Sequence, residues 1–166
     1  MITRKISNNL FFTNIKNIID SGNSVELKIK GTSMHPTLLN GKHKVVLVPY
    51  QKQYLQIGTI ALFAHNNKYI LHRLVAINED LLTFQGDNLP YTKEYITEKD
   101  IVALVKFIIT PSGKIIDCRK RYFFFKSKLQ RSILLSHSIL SKKTKDIFLK
   151  TPIYHIKPIL LKIFKQ

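Results

Sequence analysis

The chain has 166 residues, with 27 Lys and Arg against 10 Asp and Glu, a formal net charge of +17. That length supports one domain or at most two small ones with a core that needs no staples, and a 45% hydrophobic content excludes disorder throughout. The single cysteine, Cys118, excludes an internal disulfide. No stretch reaches the roughly 18 to 20 uninterrupted apolar residues of a membrane-spanning helix, and the polar opening does not resemble a cleavable signal peptide, so the expectation is a cytoplasmic protein or one peripheral to the membrane.

In chain order, Ile6, Leu10, Phe11, Ile15, Ile18 and Ile19 recur at helical spacing and stop at Ser21-Gly22-Asn23, which predicts a short amphipathic helix. From Val25 onward the pattern shifts to short runs rich in Val, Ile, Leu and Tyr. Strands are expected over 25–30, 44–50, 59–64, 69–76, 81–85 and 101–110, with Pro111-Ser112-Gly113 opening a last hairpin that ends near Asp117. Turn formers such as Asn40-Gly41, Gly58, Asn66-Asn67 and Gly86 to Asn88 separate them. Many short strands at close spacing predict a mainly β, compact antiparallel domain over 1–118.

Beyond Cys118 the composition changes. Residues 1–118 carry 14 basic and 9 acidic side chains, whereas the last 48 carry 13 basic and a single acid, Asp146, so most of the excess charge lies in the tail. The tail, 119–166, is expected to be a basic, helical extension. Leu129, Ile133 and Leu140 share one side of a possible helix, and Pro152 and Pro158 interrupt the pattern nearer the C-terminus. Basic residues mixed with Phe, Ile and Leu suit an anionic membrane surface or an exporter. The contiguous cluster Tyr122-Phe123-Phe124-Phe125 is not spaced for base stacking and argues against nucleic acid. A pair of helices packed on the β domain, with a solvated lysine face, is the structural alternative.

Two points in the front domain break the strand pattern. Gly31-Thr32-Ser33-Met34-His35-Pro36-Thr37-Leu38 joins a strand to a turn, and its glycine and proline hold Ser33 on a rigid bend. Taken alone, such a serine satisfies a turn more often than it does chemistry. The other point is His72, inside Tyr69-Ile70-Leu71-His72-Arg73-Leu74-Val75, with Gly86-Asp87-Asn88 farther along the chain. A strand histidine is commonly structural, and an aspartate between Gly and Asn is commonly a turn residue.

Read together, these boxes resemble, in order, those of the signal peptidase I and LexA-like serine peptidases. Ser33-Met34 followed by Pro36-Thr37-Leu38 resembles the nucleophile box, Tyr69 to Val75 resembles the strand bearing the general base, Gly86-Asp87-Asn88 resembles the family's next box, and 99–105 resembles the closing strand. The resemblance covers roughly residues 25 to 110 and implies a serine endopeptidase. His72 aligns with the branch that uses histidine rather than lysine as the base.

The chemistry agrees. A serine hydroxyl needs an adjacent base, and an imidazole with a reference pKa of about 6.5 can take its proton and return it. Ser33 is the expected nucleophile and His72 the expected base. Asp87 is the expected carboxylate on the other ring nitrogen, and Glu94 or a Ser-His dyad are the alternatives, because 89–94 lacks the aspartate usual in that branch. Gly31, Thr32 and Met34 flank the nucleophile as substrate- and oxyanion-binding candidates, with the Ser33 backbone N–H as a donor.

The implied task is cleavage of a precursor or leader peptide through an acyl-enzyme. The alternative is a catalytically silent peptidase fold that binds membrane or nucleic acid. LexA-like repression fits less well, since only 24 residues precede the first expected strand and the base is histidine. His35, His43, His65 and His72 have no metal-ligand spacing, and no glycine-rich phosphate loop is present, so neither metal nor nucleotide cofactor is expected.

Overall fold

A computed structural model describes residues 8–120 and 123–124, all within the first of two compact units, Met1–Arg131. The second unit, Ser132–Gln166, and with it most of the basic extension, lies outside the described residues. The same is true of Ile6, the first apolar residue of the expected helix.

Helix α1, Asn8–Asp20, buries Ile15 and Ile19 and leaves Leu10, Phe11 and Ile18 more exposed. It ends as the sequence requires. Gly22 takes a φ of +86°, its N–H donates to the Ile19 carbonyl, and the Asn23 N–H donates to that of Ile18, the paired bonds of a Schellman cap.

Among the described residues eight strands come after the helix: β1 Val25–Lys28, β2 Lys44–Val48, β3 Ile60–His65, β4 Lys68–Asn78, β5 Leu81–Gln85, β6 Glu94–Ile96, β7 Ile101–Ile109 and β8 Ile115–Asp117. They form one antiparallel sheet in the order β1-β2-β7-β3-β4-β5-β6, with β8 paired to β7. Strand β7 is its axis. Residues 104–109 pair with β2 on one side, while β3 takes residues 101–104 and β8 takes 107–109 on the other. The β3–β4 hairpin turns on Asn66 and Asn67, with φ of 49° and 58°, which asparagine tolerates and a two-residue hairpin turn requires.

Both faces of the sheet are covered. Along β3, Ile60 and Leu62 enter a core shared with Ile15, Ile19, Met34, Leu38, Val45 and Leu47, whereas Ala61 and Phe63 enter a second core with Leu74, Leu82, Phe84 and Leu104. The period-2 alternation of a strand divides them. The mainly antiparallel β fold with a short N-terminal helix is therefore as the sequence predicts. Strand β6 is the addition: three residues, Glu94-Tyr95-Ile96, are too few to show periodicity.

Candidate active site

The loop between β1 and β2 carries Ser33, and side chains fix it at both ends. Met34 and Leu38 are buried in the first core, the Leu38 N–H donates to the Met34 carbonyl at 2.8 Å, and the Gly31 N–H donates to Asn40 Oδ1 at 3.1 Å. Gly31 has a φ of +93°, a left-handed conformation that favours glycine. Ser33 itself is half-buried and, with Gly31 and Met34, lines a cavity of about 860 Å³. Phe11 and Phe12 of α1, Leu27 and Ile29 at the sheet edge, and Tyr69 to His72 of β4 complete that wall. Thr32 is exposed and does not line it; its carbonyl accepts from the His35 N–H at 3.1 Å.

Strand alternation sends His72 and Arg73 to opposite faces of β4. His72 is only 4% exposed, and its Nδ1 lies 2.8 Å from Glu94 Oε2. Facing an ionised carboxylate, which can only accept, Nδ1 is the ring's donor, and the lone pair of a neutral ring then lies on Nε2. That nitrogen faces the Gly-Asp-Asn turn, where a Cβ on Gly86 would lie 2.9 Å from it and 2.7 Å from the Ser33 carbonyl oxygen. Only glycine lets the ring and the serine backbone approach this closely. The next residue but one completes the clamp: the Asn88 N–H donates to the Ser33 carbonyl at 2.8 Å.

Asp87 has a different partner from the one expected. Arg73 donates to it twice, Nε to Oδ1 at 2.8 Å and Nη2 to Oδ2 at 2.7 Å, and Thr37 Oγ1 donates to Oδ2 at 2.5 Å. Its carboxylate is thus occupied on the Arg73 side of β4, and the carboxylate found at His72 Nδ1 is Glu94, not the expected Asp87. Glu94 reaches the histidine because β6 pairs it with Phe84 on β5, the neighbour of β4. Arg73, 1% exposed, is the residue that sequence reasoning undervalues: it also donates to the Gly58 carbonyl at 2.8 Å and to Thr37 Oγ1 at 3.3 Å. The signal for it is its position directly after His72, which a strand must send to the other face.

The model of Peptidase S24-like domains matches residues 5–109, which contain the Ser33 loop, β4, the Gly-Asp-Asn turn and Glu94. The chain belongs to the Peptidase S24-like family. No curated protein matches it. The peptidase-like fold of this family includes LexA-like and inactive members, so membership fixes the scaffold and leaves the chemistry to the residues above. The other described histidines, His35, His43 and His65, serve the backbone or the surface. His43 Nδ1 accepts from the Leu39 N–H at 3.0 Å, and His65 lies beside Asn66 in the β3–β4 turn. No helix among the described residues is long and apolar enough to cross a membrane.

Proposed function

We propose that the protein is a serine endopeptidase that cleaves a precursor or leader peptide through an acyl-enzyme, with Ser33 as nucleophile, His72 as general base and acid, and Glu94 as the carboxylate that orients the ring. One observation carries this reading: the buried 2.8 Å contact of His72 Nδ1 with Glu94, which leaves Nε2 directed at the Gly86 and Ser33 junction. Ser33 Oγ adds to the scissile carbonyl as Nε2 takes its proton, and the Ser33 backbone N–H stabilises the oxyanion. Collapse returns the proton to the leaving amine. Water, activated by the same nitrogen, then hydrolyses the ester.

The substrate fits as an extended chain. Among the described residues strand β1 is an edge strand, paired only with β2, and residues 26–29 line the cavity that holds Ser33 and His72. A peptide can add to that edge through main-chain hydrogen bonds, with a small residue before the cleaved bond if the family preference holds. A membrane surface or an exporter is the proposed partner of residues 119–166.

A second reading, a silent fold used as a binding module, draws on one feature: among the described residues no hydrogen bond joins Ser33 Oγ to His72. Catalytic contacts of this kind are commonly loose before substrate binds and tighten in the complex. A serine-directed fluorophosphonate separates the two. We expect it to modify Ser33 in the wild type, and Ser33→Ala and His72→Ala to lose both labelling and peptide processing by roughly five to six orders of magnitude in rate. Equal processing by wild type and Ser33→Ala would remove the proposed nucleophile.

A further inference from the structure

The family match ends at residue 109, yet residues beyond it close over the ion pair that holds the Gly-Asp-Asn turn. Phe123 is buried in the first core, and its ring centroid lies 5.3 Å from the Arg73 guanidinium carbon. Phe124 packs on Gly58, where a Cβ would come within 2.6 Å of its Cδ1, and the Gly58 carbonyl accepts from Arg73 Nη1 at 2.8 Å. Cys118, also buried, belongs to the same cluster.

We propose that Phe123 is a positioning residue for the site: with Phe124 on Gly58, it seals the Arg73–Asp87 pair from water and so holds the Ser33 loop against His72. This rests on the serine-peptidase reading of the same site. The path is short. Phe123 covers Arg73, Arg73 grips Asp87 through two bonds, Asp87 accepts from Thr37 of the nucleophile loop, and the Asn88 N–H next to Asp87 grips the Ser33 carbonyl. Excluding water raises the strength of each charged bond in that path, and the ring face adds an attraction for the cation. Loss of the seal loosens Asp87. The loop that aims Ser33 then samples poses from which Nε2 cannot take its proton.

The test measures the fluorophosphonate rate at Ser33 per folded molecule in the full chain. Phe123→Ala should lower it on the order of tenfold, and Phe123→Tyr, which keeps the ring, should restore it. Phe123→Ala and Thr37→Val both act through Asp87, so the double variant should fall no further than the slower single one. A wild-type rate in Phe123→Ala, or losses that multiply in the double variant, overturns the proposal. If Phe123→Ala does not fold, Phe123→Met against Phe123→Tyr makes the same comparison.

If wild-type Ser33 is not modified at all, the peptidase reading fails, and the coupling is read by hydrogen exchange instead. Faster exchange of the Asn88 amide in Phe123→Ala, with the Leu47 amide of β2 unchanged, supports the path from Phe123 to the turn. Unchanged Asn88 exchange overturns it.

Discussion

Two consecutive residues of β4 solve the same electrostatic problem in opposite ways. His72 and Arg73 are both buried, and each meets a buried carboxylate from farther along the chain, Glu94 and Asp87. Arg73 is engaged at every nitrogen: Nε, Nη1 and Nη2 all donate, to Asp87, Gly58 and Thr37. His72 spends one nitrogen on Glu94 and keeps the other toward the groove. A buried charge with every nitrogen engaged holds loops together, whereas a buried ring with one nitrogen to spare can move a proton. The same carboxylate chemistry, one residue apart in its partner, separates the scaffold pair from the pair proposed to react.

The comparison breaks first on the His72 side. Glu94→Gln keeps the volume of the side chain but offers Nδ1 an amide that can turn a donor toward it, so the ring loses its fixed tautomer. Peptide hydrolysis should fall by about 10²- to 10⁴-fold, with the urea midpoint nearly unmoved. A large drop in stability with an unchanged rate per folded molecule would assign Glu94 to the scaffold instead.

On the Arg73 side the ranking should invert. Asp87→Ala leaves a guanidinium that is 1% exposed without its counter-ion, a loss of about 3 to 5 kcal/mol when one partner of a buried pair is removed. Denaturant unfolding at fixed m-value measures it. The rate per folded molecule should fall only about tenfold, through misplacement of the loop. An Asp87→Ala protein as stable as the wild type but devoid of activity would return Asp87 to the reaction and undo the contrast.

Much of the fold and of the site is legible in the sequence because each feature is local. The strand at 81–85 is observed as Leu81–Gln85, the helix stops at the Ser-Gly-Asn cap, and Ser33 and His72 line one cavity. The features that are not legible depend on the register between strands. Which of two carboxylates meets His72 is decided by the pairing of Glu94 with Phe84 on a three-residue strand whose sequence carries no period. On sequence Asp87, within the Gly86-Asp87-Asn88 box, is the expected carboxylate and Glu94 the alternative. The β4 alternation that sends Arg73 to the opposite face also gives Arg73 the claim on Asp87. In the Gly-Asp-Asn box, Gly86 leaves room for the ring, Asp87 pairs with Arg73, and Asn88 holds the Ser33 carbonyl through its backbone N–H while its side-chain Nδ2 donates to the Thr32 carbonyl at 3.4 Å.

The smallest effect at neutral pH, and the sharpest contrast, concerns Cys118. It lies in the core on the Arg73 side, and burial pushes its thiol up to about 12, with the Arg73 charge drawing it down and Asp117 adding to the rise. A free thiolate is a stronger nucleophile than a serine hydroxyl, yet here it is Ser33 that should react. Native protein at pH 8 should resist iodoacetamide at Cys118, since the neutral thiol is both unreactive and enclosed, and should be alkylated after unfolding. The same shift fixes a sign. Between the ordinary thiol range near 8.5 and about 12, the folded chain keeps a proton that the unfolded chain has lost, so this group's contribution is full below that window and stability falls as pH rises through it. A Cys118→Ala variant should show a flatter decline over the same window in urea unfolding. Rapid alkylation of native Cys118 at pH 8 would mean that water reaches the Arg73 side, and the distinction between a sealed scaffold pair and an open reactive one would be lost.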